Sequence, residues 1–199
     1  MTRFFRIASR STLYFLLDDM TLQSPDSVYL FCAALCASAG AFLDVRTRRI
    51  PNLLTAYSVV FGLLLHLDFA GWKATGMSAV AGLVGGAIFL LFFVAGGMGA
   101  GDVKLMAAVS CIAGFGHLAE FFLATVLAGG VFAVALAMAR GRLKSTLVNV
   151  GTLVMHHGAN GLLPHPELNV QHSGTLRLPY GVAIACGCWI TFAGTVLAR

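Results

Sequence analysis

Two short stretches carry side chains that could do chemistry together. Asp44 lies in Asp44-Val45-Arg46-Thr47-Arg48-Arg49-Ile50-Pro51-Asn52, and Asp102 lies in Gly99-Ala100-Gly101-Asp102-Val103-Lys104-Leu105. Two carboxyl groups held side by side share a proton, because like charges at close range cannot both ionise. One can then take a proton from water while the other, protonated, polarises a peptide carbonyl. That is the chemistry of an aspartic protease. Carboxylates also do plainer work. Asp102 could cap a helix that starts at Val103, and Asp44 could pair with Arg46, Arg48 or Lys104. Position alone leaves the two readings balanced.

The elements that must hold these residues are membrane helices. The chain has 199 residues, 58% of them hydrophobic and 11% charged, and a mean hydropathy of +0.86. A soluble domain carries about 25% charged residues, and a disordered chain has the opposite composition to this one. The expected fold is an all-α polytopic membrane protein of about six transmembrane helices, each needing about 20 mostly apolar residues. Residues 1–26 form a polar arm, and residues 27–199 form the membrane-embedded domain. In the arm, Arg3, Arg6 and Arg10 precede a short apolar piece, Leu13 to Leu17, that Asp18 and Asp19 interrupt. No signal-peptide core of sufficient length follows, so the arm reads as interfacial or disordered.

The first span is read at Val28 to Leu43, ending at Asp44. Pro51 opens the second, Leu53 to Leu67, because its missing N–H costs nothing in a first helical turn. The third is Met77 to Ala95, with Gly82 and Gly86 spaced for close helix packing. A glycine-rich loop, 96–101, then leads to a short fourth span over 105–119. The fifth is Phe121 to Ala139. A polar connector, 140–178, precedes the last span, which Pro179-Tyr180-Gly181 opens and which runs to about Ala198.

Lys and Arg collect in cytoplasmic loops, and this bias supports the short fourth span. If it crosses, Arg46, Arg48, Arg49, Lys104, Arg140, Arg142, Lys144 and Arg177 all lie inside. Both aspartates then face the cytoplasm and both termini lie outside. The net charge of +5 is thereby an orientation signal, and no basic run interleaved with exposed aromatics points to nucleic acid. The arginines of the arm fit this topology poorly, and a start at Met20 rather than Met1 would remove the misfit.

The two aspartate motifs, GxGDVKL and DxRxxxIPN, together with the late Pro-Tyr-Gly, resemble those of the type IV prepilin peptidases, a family of GxGD aspartic membrane proteases. The resemblance covers the chain from about residue 28 onward. It implies a bundle of six to eight membrane helices in which Asp44 and Asp102 are catalytic. It also implies cleavage of the short basic leader of prepilins, after a glycine, at the cytoplasmic face of the bacterial inner membrane. Long bifunctional members carry two CxxC pairs and methylate the new N-terminus. This sequence has no CxxC pair, and its loop after Asp44 is a few residues long. It resembles the short form that serves tight-adherence (Flp-type) pili, which implies peptidase activity without methyltransferase activity.

On this reading Gly99 and Gly101 let backbone approach backbone and leave room for an extended substrate beside Asp102. Lys104 joins the active-site loop, paired with a carboxylate or anchored at the interface. The N-terminus of the fourth helix favours the ionised form of Asp102, which makes Asp44 the protonated partner. Arg46, Arg48 and Arg49 read as topogenic. No cofactor and no metal is expected. His156, His157, His165 and His172 share the connector but match no ligand spacing. His66, Asp68 and Glu120 read as interfacial anchors at the opposite membrane face, and Cys32, Cys36, Cys111, Cys186 and Cys188 as small buried residues. The partners expected are a membrane-inserted prepilin and the lipid bilayer, and a homo-oligomer is compatible with the sequence. Two other classes fit the composition. One is a small secondary transporter, whose site would sit near the midplane between repeats. The other is a structural subunit of a secretion assembly.

Overall fold

The computed structural model describes residues 24–161, 163 and 179–198. The expected arm, residues 1–26, therefore lies almost wholly outside the described residues, as do His165, His172 and Arg177. Among the described residues the regular structure is helical throughout: α1 (Pro25–Thr47), α2 (Asn52–Val94), α3 (Ala100–Ala113), a 3-10 turn (Phe115–His117), α4 (Leu118–Ala139), α5 (Leu143–Asn160) and α6 (Tyr180–Leu197). The protein is an all-α polytopic membrane protein. Four stretches have the length and apolarity to cross a bilayer: α1, α2, α4 with its preceding turn, and α6.

Local chemistry sets the helix ends. The hydroxyl of Ser24 accepts the Ser27 N–H, Pro25 fills the first turn, and Asp26 adds an acid there, all favourable at a helix N-terminus. The first span therefore begins before the expected Val28. It also runs past Asp44 to Thr47, and Arg48 then closes it in the left-handed region (φ 52°), its N–H donating to the Asp44 carbonyl. Asp44 is thus a last-turn residue rather than a terminus.

The second and third spans differ more from expectation. A connecting loop was expected around residues 68–76. Instead helix continues on both sides of a single break at Gly71 (φ 77°, ψ −172°), a conformation open to glycine and few others. The two legs run in opposite directions past α3. In the first leg, Asn52 meets Lys104 and Gly62 lies on Ile112, so the numbering rises together. In the second, Ser78 bonds the Cys111 carbonyl while Gly86 lies on Ala107, so the numbering runs oppositely. Counting these legs separately and adding α3 gives the six passes.

At 14 residues, α3 is only about 21 Å long, yet its residues from Leu105 to Ala113 are almost all buried. It is the central post, sheathed by both legs of α2 and by α1. Glycines make this possible. A methyl on Gly62 would come 3.1 Å from the Ile112 Cα, and one on Gly82 would come 3.0 Å from the Ala107 carbonyl oxygen. Helix approach this close is driven by van der Waals packing, since lipid leaves no hydrophobic drive between helices. Helix α6 packs between α1 and α4 by the same device. A methyl on Gly187 would lie 2.8 Å from the Thr125 backbone N and Cα. Gly187→Ala is therefore expected to destabilise the bundle by about 1–3 kcal/mol, read as a lower melting temperature in detergent. Gly194→Ala, with open space around it, is expected to hold the melt or raise it slightly, since alanine favours helix over glycine.

Two further differences follow. Helix α5 occupies the first half of the expected polar connector. At the end opposite Asp44, His66 does not reach out to the interface as an anchor. It is buried, stacked 4.0 Å from the Tyr29 ring, with Nε2 3.1 Å from the Ile112 carbonyl oxygen. The hydrogen bond satisfies a ring that would be costly to bury alone.

Candidate active site

Three chain segments meet at one end of the bundle: the last turn of α1 with the turn after it, the first turn of α3, and the first turn of α6. Asp44 comes from α1 and is half-buried. Asp102 comes from α3 and is 9% exposed. The charge of Asp44 is felt at the Asp102 carboxyl. The packing of α1 on α3 explains the convergence, since Gly40, one turn before Asp44, is pressed against Leu105.

Each carboxyl is held by a backbone N–H from the first turn of a helix or its cap. Gly99 N–H donates to Asp102 Oδ2 (3.1 Å), and Gly181 N–H donates to Asp44 Oδ2 (3.4 Å). Asp102 does cap its helix, but from the third helical position, because α3 starts at Ala100 rather than Val103. A capping role and a place beside Asp44 are therefore not alternatives. The expected asymmetry rested on one helix N-terminus, and α6 brings a second one to Asp44. The hydroxyl end of Tyr180 lies against Gly129 of α4, and its ring faces Phe89 (6.3 Å, edge-on).

The glycines of the loop act differently from the expectation. Gly99 has φ −87°, ψ 153°, ordinary extended backbone. A methyl there would sit 3.4 Å from Asp102 Oδ2, so glycine keeps an apolar group off the carboxylate. At Gly101 the neighbour is the Ile50 side chain, at 3.4 Å, not another backbone. The close backbone approach lies instead at Gly181, where a methyl would be 3.1 Å from the Ala41 Cα and 3.3 Å from Asp44 Cβ and Oδ2.

Lys104 pairs with neither carboxylate. Its Nζ donates to Asn52 Oδ1 at 2.9 Å, tying α3 to the start of α2. Asn52 and Gly181 are the residues that reading the sequence left without a role, although both stood inside the quoted motifs. Asn52→Ala is expected to slow turnover about fivefold, the scale of one typical net hydrogen bond of about 1 kcal/mol. Arg46, Arg48 and Arg49 are exposed, with Arg46 over the Phe42 ring at 6.0 Å. An apolar cavity of about 330 Å³ between α1 and the first leg of α2 is lined by Cys32, Cys36, Ser58 and Tyr57 among others. It begins about 12 Å along α1 from Asp44 and contains no part of the carboxyl pair. No group of three or more metal-ligating side chains occurs among the described residues.

The sequence profile of the type IV leader peptidase family matches residues 29–134, more than half of the chain. The chain belongs to the type IV leader peptidase family. The matched stretch runs from α1 into α4 and includes both aspartates, whereas Gly181 lies beyond it. The chain is also similar to a prepilin leader peptidase/N-methyltransferase of Neisseria gonorrhoeae, with 33% identity over 109 residues. That alignment covers 51% of this chain and 37% of the gonococcal protein, so it spans little more than a third of the relative's length. No solved structure matches this leader peptidase family member significantly.

Proposed function

We propose that this protein is an aspartic endopeptidase that removes the leader of type IV prepilins of the Flp class, acting without methyltransferase activity. The observation that carries the reading is the meeting of Asp44 and Asp102, each oriented by a helix N-terminal N–H, within the stretch that matches the family. In the proposed reaction one carboxylate takes a proton from water, and the water oxygen attacks the scissile carbonyl carbon. The other carboxyl group gives its proton to the carbonyl oxygen. Collapse of the tetrahedral adduct breaks the C–N bond, with a proton passing to the leaving amine.

Orientation follows from charge. Of the eight Lys and Arg among the described residues, seven lie at the aspartate end and only Lys73 lies near the Gly71 turn. The positive-inside bias supports a cytoplasmic active site in the inner membrane. The short Arg48–Pro51 connection between α1 and α2 and the absence of a CxxC pair in the sequence support the peptidase-only form. The test is co-expression with a Flp-type prepilin. Loss of the leader, seen as faster migration, is the expected result. An unprocessed prepilin in cells that hold the protein in their membranes would contradict the proposal.

A further inference from the structure

Helix α5 is attached to the bundle by one end and otherwise stands apart. It makes its few helix contacts with α4. It follows α4 after the single turn Arg140-Gly141-Arg142, with Gly141 at φ 63°. Because α4 runs antiparallel to α6 (Gly129 beside Tyr180, Thr125 beside Gly187), this junction is at the aspartate end of the bundle. The chain here has just left a membrane-crossing helix.

The side chains of α5 are sorted around its axis. Leu147 (62% exposed), Val150 (51%), Val154 (67%) and Met155 (79%) fall on one broad face with Gly151 and Gly158. Ser145, Asn149 and Thr152 fall on the opposite face and are also exposed. Leu143, on the apolar face at its start, and Thr146 and Leu153, on the flank beside it, are partly covered. Among the described residues, no packing covers this apolar face. At its N-terminal end stand Arg140, Arg142 and Lys144, all exposed, and the described helix contains no acidic residue. Apolar face, polar face and a basic end are the features of a helix that lies in the plane of an anionic bilayer surface.

We propose that α5 is an interfacial helix that docks on anionic phospholipid at the aspartate face of the membrane, through Leu147, Val150, Val154 and Met155 and the cations Arg140, Arg142 and Lys144. The apolar face enters the boundary between headgroups and acyl chains, while Asn149 and Thr152 stay in water. Lys144 reaches phosphate with its ammonium while its methylenes stay on the apolar side.

The test places single tryptophans in the full-length protein reconstituted into vesicles. Val154→Trp and Thr152→Trp lie about 160° apart on the helix. Quenching by acyl-brominated phosphatidylcholine is measured for each and compared with the parent protein, which has two tryptophans. The expected result is at least about twofold stronger added quenching for Val154→Trp than for Thr152→Trp. That difference is expected to grow when phosphatidylglycerol is included and to lose this growth in an R140Q/R142Q/K144Q background. Equal quenching at the two positions would overturn the proposal. So would a blue-shifted but unquenched Val154→Trp, which would mean that protein rather than lipid covers the face. Indifference to phosphatidylglycerol would overturn the anionic-lipid assignment.

Discussion

Asp44→Asn and Asp102→Asn are each expected to lower leader cleavage by about 10²–10⁴-fold, the range for losing a positioned general acid or base. Asparagine keeps the size of the side chain and an oxygen that can still accept the Gly181 or Gly99 N–H. It cannot take the proton from water or give one to the substrate in the required cycle. The loss should therefore come without loss of membrane insertion. The double variant should be little worse than either single one, because groups that act as a unit are not additive. Asp68→Asn, at the opposite end of the bundle, should cleave at the wild-type rate. A single variant at Asp44 or Asp102 that kept even a tenth of the rate would remove that residue from the chemistry.

The second large effect is expected at Gly181. Its position is crowded by Ala41 Cα at 3.1 Å and by Asp44 Cβ and Oδ2 at 3.3 Å. Backbone cannot rotate aside as a flexible side chain can. A methyl at 181 must move α6 away from α1, and with it the N–H that orients Asp44. Misplacement of a reacting group by about 1 Å can cost about 10²-fold, and a loss of that order is expected for Gly181→Ala. Gly99→Ala should cost less, because its methyl would meet the Asp102 carboxyl at 3.4 Å, and that side chain can turn. Gly101→Ala should cost least, because Ile50 meets it at ordinary contact distance. Cleavage rates for the three variants therefore test the geometry by their order. A Gly101→Ala variant more impaired than Gly181→Ala would contradict it.

That ordering shows where the sequence was legible and where it was not. The scarcity of charge announced a membrane bundle and left few carboxylates to consider, so Asp44 and Asp102 stood out. Their placement at one depth followed from counting spans and from the basic loops. What the chain alone did not show were contacts between distant segments. Asn52 and Lys104 are brought together by the parallel packing of α2's first leg on α3. Gly181 reaches Asp44 only because α6 returns between α1 and α4. Gly71 looked like part of a loop, since a lone glycine does not reveal that its neighbours on both sides stay helical. Helix α5 was hidden by its mixed composition, because an interfacial helix lacks the continuous apolar run that marks a span. The role given to Gly99 and Gly101 was transferred to Gly181 for the same reason: which glycine touches backbone depends on the partner helix.

The most direct test of the central claim uses purified components. The protein, its Asp44→Asn variant and its Asp102→Asn variant are each reconstituted with a Flp-type prepilin in lipid vesicles, and the products are weighed by mass spectrometry. The account predicts one new polypeptide, shorter by the leader and beginning with an unmethylated amine, from the unaltered protein alone. An intact prepilin with the unaltered protein, or the same product from either variant, would contradict it.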